Sequence, residues 1–198
     1  MFSKLSVLSA FAVVMGVAMS AMGEAQIGKP APEWTATCQE GKSHKLSDFA
    51  GKIVVLEWFN DQCPYVVKHY SGGHMNKLAK KYMDKGVVWL AVNSSNFTTN
   101  EANAKIAGEW KIERPILNDA SGQIGKAYGA KTTPHMFIID KEGKLAYMGA
   151  IDSDSSSDSS KIDGATNYVA KALDELLAGQ SVSEPQTKAY GCSVKYAK

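Results

Sequence analysis

The chain has 198 residues, which suits one domain of the usual ~100–200 residues once a leader is removed. With 44% hydrophobic and 21% charged residues it has the composition of a globular protein, which excludes a disordered or fibrous chain. A net charge of +2 from 22 basic and 20 acidic residues, with Arg114 the only arginine, creates no basic surface for nucleic acid and no guanidinium cluster for phosphate.

Residues 1–25 read as a secretory signal. Lys4 is a short positive start, Leu5 to Ala21 is apolar and nearly uncharged, and the small residues Ala21, Gly23 and Ala25 follow. Removal after Gly23 or Ala25 leaves a domain over residues 26–178 and a tail over 179–198. A retained membrane anchor is the rival, but the apolar run is shorter than the ~20 residues of a spanning helix, so no membrane contact is expected after processing. The expected location is periplasmic or secreted, an oxidising compartment in which disulfides persist.

Trp34 to Leu46 reads as a hairpin turning at Glu40-Gly41-Lys42. Lys52 to Phe59 is a β-branched and aromatic run, the pattern of a strand buried on both faces. A helix follows from Cys63 towards Lys85, with Pro64 tolerated in its first turn and a break expected at Ser71-Gly72-Gly73. Gly86 ends it, and Val87 to Asn93 is a second buried strand parallel to the first. Further along come a helix over 99–110, a short strand over 115–117, a helical piece over 123–128, and a hairpin of 136–140 with 145–151. An amphipathic helix over 165–177 closes the core, with Val169, Leu173, Leu176 and Leu177 on one face. The tail has no period. The fold class is α/β, a central mixed sheet with helices on both faces.

Cys63 stands where a buried strand meets a helix N-terminus, so unpaired N–H groups and the helix dipole favour its thiolate. Such placement makes a nucleophile; the alternative is a buried structural cysteine acting as a small hydrophobe. Asp152-Ser153-Asp154-Ser155-Ser156-Ser157-Asp158 lacks the glycine expected at position six of a calcium loop and reads as a solvated Ser/Asp loop. His44, His69, His74 and His135 show no metal-ligand spacing, and no metal is expected.

Three landmarks in order carry a resemblance. The segment Val55-Leu56-Glu57-Trp58-Phe59-Asn60-Asp61-Gln62-Cys63-Pro64-Tyr65-Val66, then Thr132-Thr133-Pro134 before a strand, then Lys141-Glu142-Gly143-Lys144 before the final strand, resemble the thioredoxin-like superfamily from about Ile27 to Leu177. Together with Cys-Pro-Tyr-Val and the terminal Gly-Cys-Ser-Val-Lys-Tyr, they look like its redoxin branch, related to alkyl hydroperoxide reductase and thiol-specific antioxidant proteins. The resemblance implies a thioredoxin-like fold, Cys63 as the attacking cysteine, and a cis peptide at Thr133-Pro134 that presents backbone to a substrate sulfur or to an extended polypeptide.

It also implies a role for Glu57, six residues before Cys63, where thioredoxins carry a buried carboxylate as proton acceptor. The alternative for a glutamate in an apolar strand is an ion pair with a lysine. Two departures stand out. The fourth motif position is Val66, so a resolving thiol must come from Cys38, Cys192 or another molecule. The residues that orient a peroxide in peroxiredoxins correspond here to Leu56, Asn60 and Pro134, with Asn60, Tyr65 and His135 as candidate substitutes. The expected catalytic set is Cys63, Cys192 and Glu57, with Asn60, Pro64, Tyr65, Thr133, Pro134 and His135 on the substrate side.

The expected function is an exported thiol-dependent oxidoreductase that reduces a peroxide or exchanges with a disulfide. It needs no organic cofactor, because sulfur carries the electrons, and an external thioredoxin-like dithiol reductase regenerates it. The alternative is a non-catalytic module that holds extended polypeptide. Cys192 either resolves Cys63, clamps the tail, or is a surface thiol.

Overall fold

The computed structural model describes residues 24–198, so nearly all of the leader expectation falls outside the described residues. Strands β1 (Thr35–Thr37) and β2 (Ser43–Lys45) form the expected hairpin, with Ala36 opposite His44. A short 3-10 turn over Leu46–Phe49 leads to β3 (Val54–Trp58), in which every residue is buried. Helices α1 (Pro64–Ser71) and α2 (His74–Met83) follow, separated at Gly72-Gly73. Gly73 has φ 71°, a left-handed conformation that costs glycine little, and a Cβ on Gly72 would strike the His74 ring.

Next come β4 (Val88–Asn93), α3 (Asn100–Trp110), β5 (Ile116–Asn118) and α4 (Gln123–Tyr128). The Thr99 hydroxyl accepts from the Ala102 N–H at 3.1 Å, capping α3. The two-residue strand β6 (Thr132–Thr133) precedes β7 (His135–Ile139) and β8 (Leu145–Gly149). Helix α5 (Tyr168–Leu177) is capped by Asn167, and β9 (Cys192–Ser193) lies near the end of the tail.

The main sheet has the order β5-β4-β3-β7-β8. Pairs β3/β4 and β4/β5 are parallel, whereas β3/β7 and β7/β8 are antiparallel. Helical crossovers make the parallel half, and the tight turn at Lys141-Glu142-Gly143 makes the antiparallel half. One face packs Val55, Phe59, Met136 and Ile138 against α1, α2, α3 and α5. The other packs Leu56, Trp58 and Phe137 against α4 and the β1/β2 hairpin. This is the expected mixed α/β architecture. Among the described residues no helix is long and apolar enough to cross a membrane.

The tail departs from the expectation of an aperiodic, unstructured segment. Met148 donates to the Pro185 carbonyl at 3.0 Å, the Ala150 N–H donates to the Thr187 hydroxyl at 2.9 Å, and β9 pairs antiparallel with β6. Short additions to distant edges draw their order from non-local partners, so they leave no period to read.

Candidate active site

The site is assembled where β3 ends. The Asn60 side chain accepts from the Gln62 N–H at 2.8 Å and donates to the Ser95 hydroxyl at 3.2 Å, while its carbonyl accepts from the Cys63 N–H at 3.1 Å. Asn60 therefore shapes the loop that delivers Cys63. Cys63 is the N-cap of α1 with extended backbone, φ −90° and ψ 119°, and Pro64 fills the first helical position. Its carbonyl accepts from the N–H groups of Val66 and Val67 at 2.9 Å each.

Cys63 is 1% exposed, and its thiol donates to the Thr133 carbonyl at 2.9 Å. The Thr133-Pro134 peptide is cis, as the resemblance implied. Thr133 stands opposite Cys192 in the β6/β9 pairing, so the tail sets a second cysteine beside the residue that Cys63 meets. All three cysteines are free thiols, and Cys192 is partly exposed. Cys38 lies with the core on the opposite sheet face, apart from this pair.

The two thiols are pushed in opposite directions. Burial raises the pKa of Cys63, yet it ends below the ordinary thiol value. The neighbouring Cys192 and Thr133, and the backbone of Cys192 and Val66, favour the thiolate. Cys192 is pushed up to about 11, first by burial and then by the neighbouring Cys63 sulfur. The shifts favour Cys63 as the thiolate of the pair and Cys192 as the thiol.

Glu57 does not meet Cys63 through any hydrogen bond. Its carboxylate accepts from the Tyr70 hydroxyl at 2.6 Å, from Trp89 Nε1 at 2.9 Å and from the Arg114 guanidinium at 2.9 Å. Arg114, 4% exposed, also donates to the Tyr70 hydroxyl at 2.6 Å and to Asn76 Oδ1 at 3.0 Å. The geometry favours the ion-pair alternative, with an arginine in place of the expected lysine. A desolvated carboxylate needs a partner that never loses its proton.

His135 is also set apart. It lies at 4.4 Å from Phe137 between ring centroids, on the sheet face away from Cys63, and its Nδ1 accepts from the Lys131 N–H at 3.3 Å. Burial lowers its pKa to about 4. The alternation of β7 sends His135 and Phe137 to one face and Met136 to the other, which corrects its placement on the substrate side. Tyr65, on α1, faces Tyr190 at 6.0 Å between ring centroids.

A polar cluster beside the thiols was not foreseen. Tyr190 donates to Asp152 Oδ1 at 2.5 Å and lies 3.2 Å from His69 Nε2. The Lys68 ammonium, with no exposed side-chain surface, donates to the Asp154 carbonyl and carboxylate at 2.8 and 2.9 Å and sits 5.6 Å from the Tyr190 ring centre. The Ser/Asp loop read as solvated thus holds an ammonium. The one signal in the sequence was two consecutive polar residues, Lys68-His69, within a helix otherwise fit for burial.

Residues 26–165 match the Redoxin family. The chain belongs to it. As a redoxin it is an oxidoreductase with the thioredoxin-like fold. It is 36% identical over 120 residues to the thiol-disulfide oxidoreductase ResA of Bacillus thuringiensis subsp. konkukian, an alignment covering 61% of this chain and 67% of the relative. Among solved structures, an uncharacterised conserved protein from Geobacillus kaustophilus superposes with TM-score 0.72 at 30% identity, covering 87% of this chain and 93% of that one. A candidate thiol:disulfide interchange protein DsbE from Chlorobium tepidum gives TM-score 0.55 at 28% identity, covering 63% and 85%.

Proposed function

We propose that this redoxin is an exported thiol–disulfide oxidoreductase that cycles between a Cys63/Cys192 dithiol and a Cys63–Cys192 disulfide. The observation that carries the reading is the pairing of Cys192 with Thr133, whose carbonyl the Cys63 thiol meets, with Cys63 biased to thiolate and Cys192 to thiol. The Cys63 thiolate attacks one sulfur of a substrate disulfide and expels the other as a thiolate, which takes a proton. Cys192, on losing its proton, attacks the Cys63 sulfur and expels the second substrate thiol. Two protein thiols are oxidised and one disulfide is reduced to two thiols. An external dithiol then reduces the protein.

A disulfide is favoured over a peroxide as oxidant because the chain's only arginine is committed to Glu57 and Tyr70, away from the thiol. Residues 26–178 would form the redox domain and 179–198 the segment that supplies the second sulfur. The leader pattern supports extracytoplasmic placement.

Equilibration in glutathione redox buffers, followed by acid quench, alkylation and peptide mass spectrometry, tests the cycle. The expected product is a Cys63–Cys192 linked peptide with Cys38 remaining a thiol. Recovery of Cys63 as a free thiol under fully oxidising buffer would sink the reading.

A further inference from the structure

We propose that Tyr190 latches the C-terminal strand over the polypeptide-binding edge of the site, and that the latched strand selects small disulfides over extended polypeptides as oxidants of Cys63. The inference rests on the thiol–disulfide reading above and adds the substrate class. An extended chain joins a protein through a free strand edge, by main-chain hydrogen bonds. At this site the edge is Lys131 to Thr133, and the protein's own tail already occupies it. Thr132 pairs with Ser193 and Thr133 with Cys192, and the Val194 N–H donates to the Lys131 carbonyl at 3.1 Å. A polypeptide can take these positions only after β9 leaves. A small disulfide needs no backbone pairing, only a path past the partly exposed Cys192 side chain.

The strand is held on both sides. Beyond it, the Asn96 N–H donates to the Lys195 carbonyl at 2.8 Å and the Tyr196 hydroxyl donates to the Ala130 carbonyl at 2.7 Å. Before it, Tyr190 inserts its hydroxyl between Asp152 and His69, with the buried Lys68 ammonium against its ring. Asp152 is 2% exposed, and its Oδ2 has no hydrogen-bond partner among the described residues. A desolvated carboxyl with one oxygen unpaired depends heavily on the bonds to the other, so release of Tyr190 strips a buried acid of a principal donor. Gly191 follows with φ 129°, and a Cβ there would collide with the Thr133 carbonyl, so the latch sets the close approach that seats Cys192.

Two oxidants with the same leaving thiol separate the possibilities: bis(2-hydroxyethyl) disulfide, and an unstructured peptide whose cysteine carries 2-mercaptoethanol in disulfide linkage. Oxidation of Cys63 in the full chain is followed by rapid acid quench and mass spectrometry. The wild-type protein is expected to react with the small disulfide about tenfold faster or more, the factor that one hydrogen bond to a charged group controls in an opening equilibrium. Tyr190→Phe is expected to raise the peptide rate about tenfold while leaving the small-disulfide rate within about twofold, and Asp152→Asn to act in the same direction.

Equal rates for the two oxidants in the wild-type protein, or a Tyr190→Phe change that accelerates both alike, would overturn the inference and leave the thiol–disulfide reading standing. Failure of both oxidants to modify Cys63 would overturn both. The ratio of the two rates is the decisive quantity, because general loosening of the fold does not discriminate between oxidants.

Discussion

At Cys63 burial and hydrogen bonding act against each other, and hydrogen bonding prevails because Cys192 contributes both its thiol and its backbone. Removing the Cys192 side chain in Cys192→Ala should raise the pKa of Cys63, since a donor to the thiolate is lost while the helix-cap position stays buried. The pH dependence of iodoacetamide alkylation measures this, and the midpoint should move upward from its wild-type position. At Arg114, truncation to Ala leaves Glu57 as an unpaired buried charge, a change that costs about 3–5 kcal/mol. Urea unfolding should show that loss, and the reactivity of Cys63 in the fraction still folded should persist, because Glu57 makes no hydrogen bond to it. Position along the chain was enough to mark Cys63, since a strand–cysteine–helix junction is local. The partners of Glu57 were not readable, because Tyr70 approaches it from α1, Trp89 from β4 and Arg114 from the loop before β5.

Strand β9 shows at the element scale what local pattern omits. It has two residues, no alternation and no apolar run, and it is ordered because β6 offers an edge and because Tyr190 and Tyr196 anchor the segments around it. The helix break at Gly72-Gly73 was legible for the opposite reason, since a left-handed φ is a local demand that glycine meets. Gly191→Ala should displace β9 from Thr133, because the added methyl meets a backbone carbonyl that cannot swing away as a side chain can. The expected outcome is faster oxidation of Cys63 by an extended peptide disulfide and proteolytic cleavage within the tail, with the main sheet retained by circular dichroism. His135 belongs to this scale as well. One residue of alternation along β7 decided its face, and the sequence reading placed it by nearness to Pro134 instead.

For the whole molecule, a Cys63–Cys192 disulfide would join positions 129 apart, 192 minus 63, and so close most of the chain into one loop. Chain entropy predicts that the oxidised protein is more stable than the reduced one by about 4–5 kcal/mol, to be checked by guanidinium unfolding with and without reductant. Stability should also fall with acid. His69 and His135 are held neutral by burial, with pKa lowered from 6.5 to about 4. Between those values the unfolded chain binds more protons than the folded one. Their contribution is therefore full above about pH 6.5 and is lost as the pH drops towards 4, on the order of 3 kcal/mol for each at the limit. Asp152, whose pKa is raised by burial, works the other way at the acid end. Urea midpoints measured from pH 7 to 4 should decline through this window.

Sequence alone determined the α/β class, the order of the main elements, the redoxin resemblance and the position of Cys63. Each is written in short-range signals: apolar runs, glycine stops, a cysteine at a helix start, a Thr-Thr-Pro before a strand. Only the tertiary structure decided where the second sulfur lies, which partner neutralises Glu57, and what the Ser/Asp loop holds. Those answers depend on residues 57 apart, as in Glu57 with Arg114, or 86 apart, as in Lys68 with Asp154, brought together by the sheet order and not by any pattern along the chain.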